Sequence, residues 1–278
     1  MNNLVHEYVK KKSVSLNNYG FSNAYKEIFW YLEHLELVSK SNLYFNNMDL
    51  DIELIKNKVD YFFEKRKSNI PFQHILGLAN FYGRDFYIDS NVLIPRQDSE
   101  LFFEILKGYN FNKALDIGVG SGNLAITLSL EKIAEHIDAI DISKSAIQIS
   151  SYNIKQYNIK NFNVFICDIL KENLQERYNL IISNPPYISL KEYKNLPDEI
   201  VKNEPKKALT DSYNGMLFYE RYAEILKDIL APNGIMLCEF GVCTPAKKIS
   251  QIFNKKGFST TIYKDLQAND RMIKISYD

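Results

Sequence analysis

Apolar residues recur at helical spacing through the first quarter of the chain. Ala24, Ile28, Leu32 and Leu35 fall three or four residues apart, as do Ile52, Ile55, Val59 and Phe62, and each set marks one stripe of an amphipathic helix. Asp49 stands where an N-cap for the second helix is expected. Neither stripe can be buried by its own helix, so the pattern predicts a small helical module over residues 1–70, ended by Pro71. A stripe of this kind is more often core than a groove for a partner. Residues 71–95 then read as a linker, with Asn80 to Ile88 forming two short aromatic strands around a Gly-X turn of type II′.

After Pro95-Arg96 the period changes. Lys113 to Ile117, Ile137 to Ile140, Asn163 to Ile166 and Tyr178 to Ile182 are short apolar strands. Between them lie helical stretches at Leu124 to Leu130 and at Ser143 to Tyr157, the latter opened by a capping serine. A helix from about Leu217 to Leu230, the turn Pro232-Asn233-Gly234 and a strand Ile235 to Cys238 follow. Strands alternating with helices predict an α/β domain over residues 96–278. Its sheet is doubly wound and mainly parallel, with ligands at the C-terminal strand ends.

Composition narrows the classes. A chain of 278 residues with 46% hydrophobic positions can bury a full core. Its 34 basic and 34 acidic residues cancel, which weighs against a protein that binds by neutralising phosphates, so no stable nucleic-acid binding is expected. Lys10-Lys11-Lys12 reads as a solvated face. Cys167, Cys238 and Cys243, and His6, His34, His74 and His136, fall in no metal-ligand or disulfide spacing, so no metal is expected. The start lacks a signal-peptide core and no apolar run approaches a membrane span, so a cytoplasmic protein without a membrane partner is expected.

The chemistry concentrates in two loops. Asp116-Ile117-Gly118-Val119-Gly120-Ser121-Gly122-Asn123 lies between a strand and a helix, where glycines let a ligand approach the backbone. Its GxGxG form lacks both the spacing of a dinucleotide fingerprint and the lysine of a P-loop. Asp116 suits a cofactor carrying an ammonium and a sulfonium, Asp141 is placed for ribose hydroxyls, and Asp168-Ile169 offers a carboxylate and an N–H to an adenine edge. One such aspartate is more often a cap or turn residue; three at successive strand ends with the glycine turn describe S-adenosylmethionine better than NAD. The second loop, Asn184-Pro185-Pro186-Tyr187, follows the apolar run Leu180-Ile181-Ile182-Ser183. Two prolines fix φ and remove two donors, leaving an amide, free carbonyls and an aromatic face to hold a flat amino-bearing group, either an amide or a nucleobase.

These motifs carry a resemblance. Asp116 to Gly122 resembles motif I of class I S-adenosylmethionine-dependent methyltransferases, and Asn184-Pro185-Pro186-Tyr187 the motif of their amino-modifying branches. The chain is similar to the release factor glutamine methyltransferases. The similarity rests also on Pro71-Phe72-Gln73-His74-Ile75-Leu76-Gly77, Val92 to Glu100, Glu204-Pro205, Cys238-Glu239-Phe240-Gly241 and Asp265 to Arg271. The family's usual Pro-Arg-Pro is Pro95-Arg96-Gln97 here. The resemblance implies a seven-stranded class I methyltransferase sheet, with Gly118, Val119, Gly120, Ser121, Gly122, Asp141, Ile169 and Asn184 lining S-adenosyl-L-methionine. It also implies that Asn184, Pro185, Pro186 and Tyr187 hold a glutamine of class 1 peptide chain release factors for N5-methylation. Adenine-N6 or cytosine-N4 methylation of DNA is the alternative, and a non-catalytic cofactor-binding protein a third reading.

Overall fold

The computed structural model describes residues 3–38 and 51–277. The chain forms two compact units, one of residues up to Gly77 together with Asp198–Asn203, the other of the remainder.

The first unit contains α1 (Asn3–Asn18), α2 (Ala24–His34), α3 (Ile52–Lys67), α4 (Phe72–Leu76) and α9 (Asp198–Asn203). Both expected stripes are its core. Ala24, Ile28 and Leu32 meet Ile55, Val59 and Phe62, with Val5, Val9 and Leu16 of α1 completing the cluster. Leu35 sits at the C-cap of α2 and packs on it from the edge. Asp49 lies outside the described residues; the cap of α3 is Asp51, whose carboxylate accepts from the Leu54 N–H at 2.9 Å. Pro71 does not end the helical unit. It is the N-cap of α4, whose Phe72, Ile75 and Leu76 pack on the same core, and Gly77 closes that helix at φ +71. Arg66 explains why a distant segment belongs here. Its buried guanidinium donates to Glu27 of α2 (2.8 Å), to the Ile70 carbonyl (2.8 Å) and to Glu199 of α9 (2.6 Å).

The second unit opens with the hairpin β1 (Leu78–Phe81) and β2 (Arg84–Tyr87). Its turn residues are Tyr82 and Gly83, both at positive φ, 50° and 71°. That is type I′, not the expected II′, because the glycine is the second central residue rather than the first. Phe81 and Phe86 are buried in the sheet's own core, so the hairpin is part of this unit and not only a linker. A short 3-10 turn (Gln97–Glu100) leads into α5 (Leu101–Leu106), and two further short helices of this unit are α8 (Leu190–Tyr193) and α10 (Lys206–Leu209).

The main sheet takes β3 (Phe111–Ile117), β4 (Ala134–Asp141), β5 (Phe162–Ile166), β6 (Tyr178–Ser183), β7 (Leu230–Glu239), β8 (Phe258–Lys264) and β9 (Asp270–Tyr277). Their order is β5-β4-β3-β6-β7-β9-β8, parallel except for β9, which runs antiparallel to both neighbours. This is the doubly wound, mainly parallel, seven-stranded arrangement expected. Strand residues alternate between two layers: Leu115, Ile117 and Ile181 face a core shared with α11 (Leu217–Ile229) and α12 (Ala246–Asn254). Ala114, Leu180 and Ile182 face one shared with α5 and α6 (Asn123–Leu130). The turn at Pro232-Asn233-Gly234 does not precede β7 but bulges within it, the pairing jumping from Tyr178↔Leu230 to Leu180↔Ile235. No helix among the described residues is long and apolar enough to cross a membrane.

Candidate active site

A cavity of about 460 Å³ opens at the C-terminal ends of β3, β4 and β6, where the strand order reverses. The turn after β3 forms one wall. Its shape comes from β4: the N–H groups of Gly118 and Val119 both donate to the Ile140 carbonyl, at 2.8 and 2.9 Å, and the Gly120 N–H donates to the Asp141 carboxylate at 3.1 Å. Gly118 has φ +88°, and a Cβ built there meets no protein atom within 4 Å. The space it faces is open to a ligand. Gly122 is a glycine for another reason. A Cβ there meets Ile126 Cδ1 at 3.0 Å and Ser150 Cβ at 3.3 Å, so its small size lets α6 pack on α7 (Lys144–Gln156).

Of the expected residues, Gly118, Val119, Gly120, Ser121, Asp141, Asp168, Ile169, Asn184, Pro185 and Pro186 line the cavity, whereas Asp116, Gly122 and Tyr187 do not. Asp141 keeps one oxygen on the glycine turn and receives the Ser143 N–H on the other at 2.8 Å. Burial raises its pKa despite these amides. Asp168 is held by Lys171 at 2.9 Å, and its N–H is taken by Glu172 at 2.7 Å. The Ile169 carbonyl accepts from Arg221 Nε at 2.8 Å, which pins this segment to α11.

Asp116 sits on β3, fully buried, and neither carboxylate oxygen has a hydrogen-bond partner. Burial, then the nearby charge of Asp141, pushes its pKa up to about 7; the Ala125 amide pulls the other way without reaching hydrogen-bonding geometry. An orphaned buried carboxylate is costly unless a cation compensates it. Open space over Gly118, unsatisfied negative charge behind it and a carboxylate on the wall fit a cationic nucleoside ligand.

The Asn184-Pro185-Pro186 loop forms another part of the same lining. It leaves β6 at Ser183, whose hydroxyl donates to the Ile117 carbonyl at 2.8 Å, so the two loops spring from adjacent, tied strand ends. Tyr187 turns away to donate to the buried Glu239 at 3.3 Å, and burial, then the Glu239 charge, raises its pKa.

Other residues in and around the cavity were given no role from the sequence. Asn153 of α7 donates to the Ser121 and Tyr87 carbonyls, at 2.8 and 2.9 Å, joining the glycine turn to the hairpin. Arg96 lines the cavity and is held at 2.6 Å by Glu204, a buried acid that also accepts the Ile94 N–H. Gln97, at the departure from Pro-Arg-Pro, is the first residue of the 3-10 turn, a position that favours proline without requiring it. Lys206 and Lys207 also line the space, with no periodic signal to mark them.

The family profile described as Methyltransferase small domain matches residues 96–219. Release factor glutamine methyltransferase from Bacillus subtilis is 34% identical over 76% of this chain and 76% of its own. That of Fusobacterium nucleatum is 32% identical over 96% of this chain and 75% of its own. A methyltransferase structure from Pyrococcus furiosus shares the fold, with a TM-score of 0.54 at 20% identity over 76% of this chain and 97% of that one. At these identities and coverages, the chain belongs to the release factor glutamine methyltransferase family.

Proposed function

We propose that this protein methylates the side-chain amide nitrogen (N5) of the glutamine in the Gly-Gly-Gln loop of class 1 peptide chain release factors, using S-adenosyl-L-methionine, in the cytoplasm. One observation carries the reading: the Asn184-Pro185-Pro186 loop and the Gly118 to Ser121 turn line one cavity in a chain of this family. The nucleobase alternative finds no counterpart among these relatives, and the zero net charge weighs against it.

The residues present fit the cofactor. Gly118 to Ser121 leave the backbone open to it, Asp141 accepts hydroxyl groups, Asp168 and Ile169 border its base, and Asp116 supplies the compensating charge. When bound, it supplies a methyl carbon made electrophilic by a sulfonium. A glutamine amide nitrogen is a weak nucleophile because its lone pair is delocalised into the carbonyl. Asn184 Oδ1 and the Pro185 carbonyl accept its two N–H groups, which fixes the nitrogen and directs the lone pair into the cavity. Asparagine serves this better than aspartate because it accepts without adding a charge that must itself be paired. Tyr187, expected to bound the amide plane, instead turns out of the cavity to Glu239 and acts from behind the loop. Catalysis of this kind needs positioning and fixed dipoles, and the proton leaves after transfer without a dedicated base.

Labelled S-adenosylmethionine and a release factor test the reading. Label is expected on the factor carrying the Gly-Gly-Gln glutamine and on no factor in which that glutamine is changed. Label that persists after the change would overturn it.

A further inference from the structure

The side chain of Asn184 does not stand alone. Its Nδ2 donates to the Ser99 hydroxyl at 3.1 Å, the Ser99 hydroxyl donates to Glu239 Oε2 at 2.5 Å, and Tyr187 donates to Glu239 Oε1 at 3.3 Å. Ser99 is 2% and Glu239 1% exposed, so water does not compete for these bonds. The order of donors is dictated chemically. While Glu239 is ionised its carboxylate only accepts, so Ser99 then gives it its single proton. The hydroxyl then has only lone pairs left for Asn184. Asn184 must therefore turn its NH₂ toward Ser99 and its carbonyl oxygen away from it. An asparagine amide with the opposite flip would place oxygen against oxygen.

Resting on the glutamine-methylation reading, we propose that Ser99 and Glu239 are positioning residues that lock the Asn184 amide with Oδ1 as the acceptor and, through the other carboxylate oxygen, hold Tyr187 in register with it. Ser99 borders the cavity and Glu239 lies behind it, and both act on the substrate amide through Asn184. They act by removing the one wrong orientation that would present NH₂ to a substrate NH₂. Gly241, two residues beyond Glu239, completes the arrangement. A Cβ there would lie 2.9 and 3.0 Å from the Tyr187 ring carbons, so only glycine leaves the ring where Glu239 holds it.

Ser99→Ala removes the acceptor for Asn184, and the isosteric Glu239→Gln replaces a carboxylate that can only accept by an amide that can offer Ser99 its NH₂, so the Ser99 proton is no longer fixed. In the full chain, each is expected to lower kcat about ten- to hundred-fold, as misplacement of a positioning group does, while the dissociation constant of S-adenosylmethionine stays within about two-fold of wild type. The double variant is expected to be no slower than the worse single one, because both changes break one path. Ser99→Thr, which keeps the hydroxyl, is expected to restore most of the rate. Wild-type kcat in folded Ser99→Ala, additive losses in the double variant, or a loss of cofactor affinity in place of kcat would each overturn the proposal. An arm independent of the acceptor separates it from the parent reading. The ¹⁵N–¹H side-chain resonances of Asn184 are expected to shift in both variants whether or not glutamine is the substrate, and unmoved resonances would also overturn it.

Discussion

The Asp116 carboxylate ties residue chemistry to stability. Its pKa is about 7 in the folded chain against an ordinary value of 3.8, so between these the folded state holds more protons than the unfolded one. Stability on this account is highest below pH 3.8, falls as pH rises through 7, and carries the full penalty above. Three pKa units correspond to roughly 4 kcal/mol, an upper figure for a site that can relax. Asp116→Asn removes the titration but leaves an amide without partners, itself costing about 1–3 kcal/mol. The expected result in ligand-free protein is therefore a pH dependence: relative to wild type, the variant gains about 3 kcal/mol between pH 4 and pH 8, measured by denaturant titration. Cofactor affinity is expected to fall in the same variant. Parallel stability curves for the two proteins would show that Asp116 does not titrate in this range. Glu239 is also pushed up to about 7, by burial; the Ser99 bond, Arg271 and the Tyr187 bond lower it, and Asp98 opposes them. That a carboxylate was near the glycine turn was legible from the sequence. That Asp116 is buried behind the turn, with Asp141 on the wall, was not, because burial depends on what α6 and the neighbouring strands lay over it.

At the scale of elements, the glycines divide by what they make room for. Gly122→Ala forces a Cβ into Ile126 and Ser150 at φ +85°, and is expected to destabilise the fold by about 1–3 kcal/mol, seen as a lower denaturation midpoint. Gly241→Ala presses on the Tyr187 ring instead. It is expected to lower kcat with cofactor affinity unchanged; wild-type turnover in this variant would show that the ring tolerates displacement. Sequence alone grouped Gly122 with the ligand-facing glycines because the motif is read as one string. The hairpin turn was misassigned for a related reason: the register Phe81↔Arg84, which places Tyr82 and Gly83 at the turn, is set by which aromatic faces reach the core. By contrast, the Ser143 cap, the stripes of α2 and α3 and the β3 to β6 strands were readable, since each follows from local spacing.

For the whole molecule, the division into two units predicts separable stability. Arg66 is buried between Glu27 and Glu199 and lies 4.1 Å from the Phe21 ring centroid, all within the first unit. Arg66→Met strands two carboxylates and is expected to cost that unit about 3–5 kcal/mol. Calorimetry is expected to show a lowered transition that S-adenosylmethionine does not restore, while the transition of the unit carrying the cavity still rises with ligand. A single transition lowered and then restored by ligand would contradict this. The helical start, the alternation of strands and helices, the glycine turn and the Asn-Pro-Pro-Tyr loop were all determined by the sequence itself, because each is a matter of spacing, propensity or fixed dihedrals over a few residues. What only the tertiary structure decided is which distant side chains meet. Glu199 joins Arg66 across 133 positions, Glu204 joins Arg96 across 108, and Glu239 reaches Ser99 across 140 to orient Asn184. No local pattern encodes such partners, since a buried acid is stable wherever the folded chain supplies its donors.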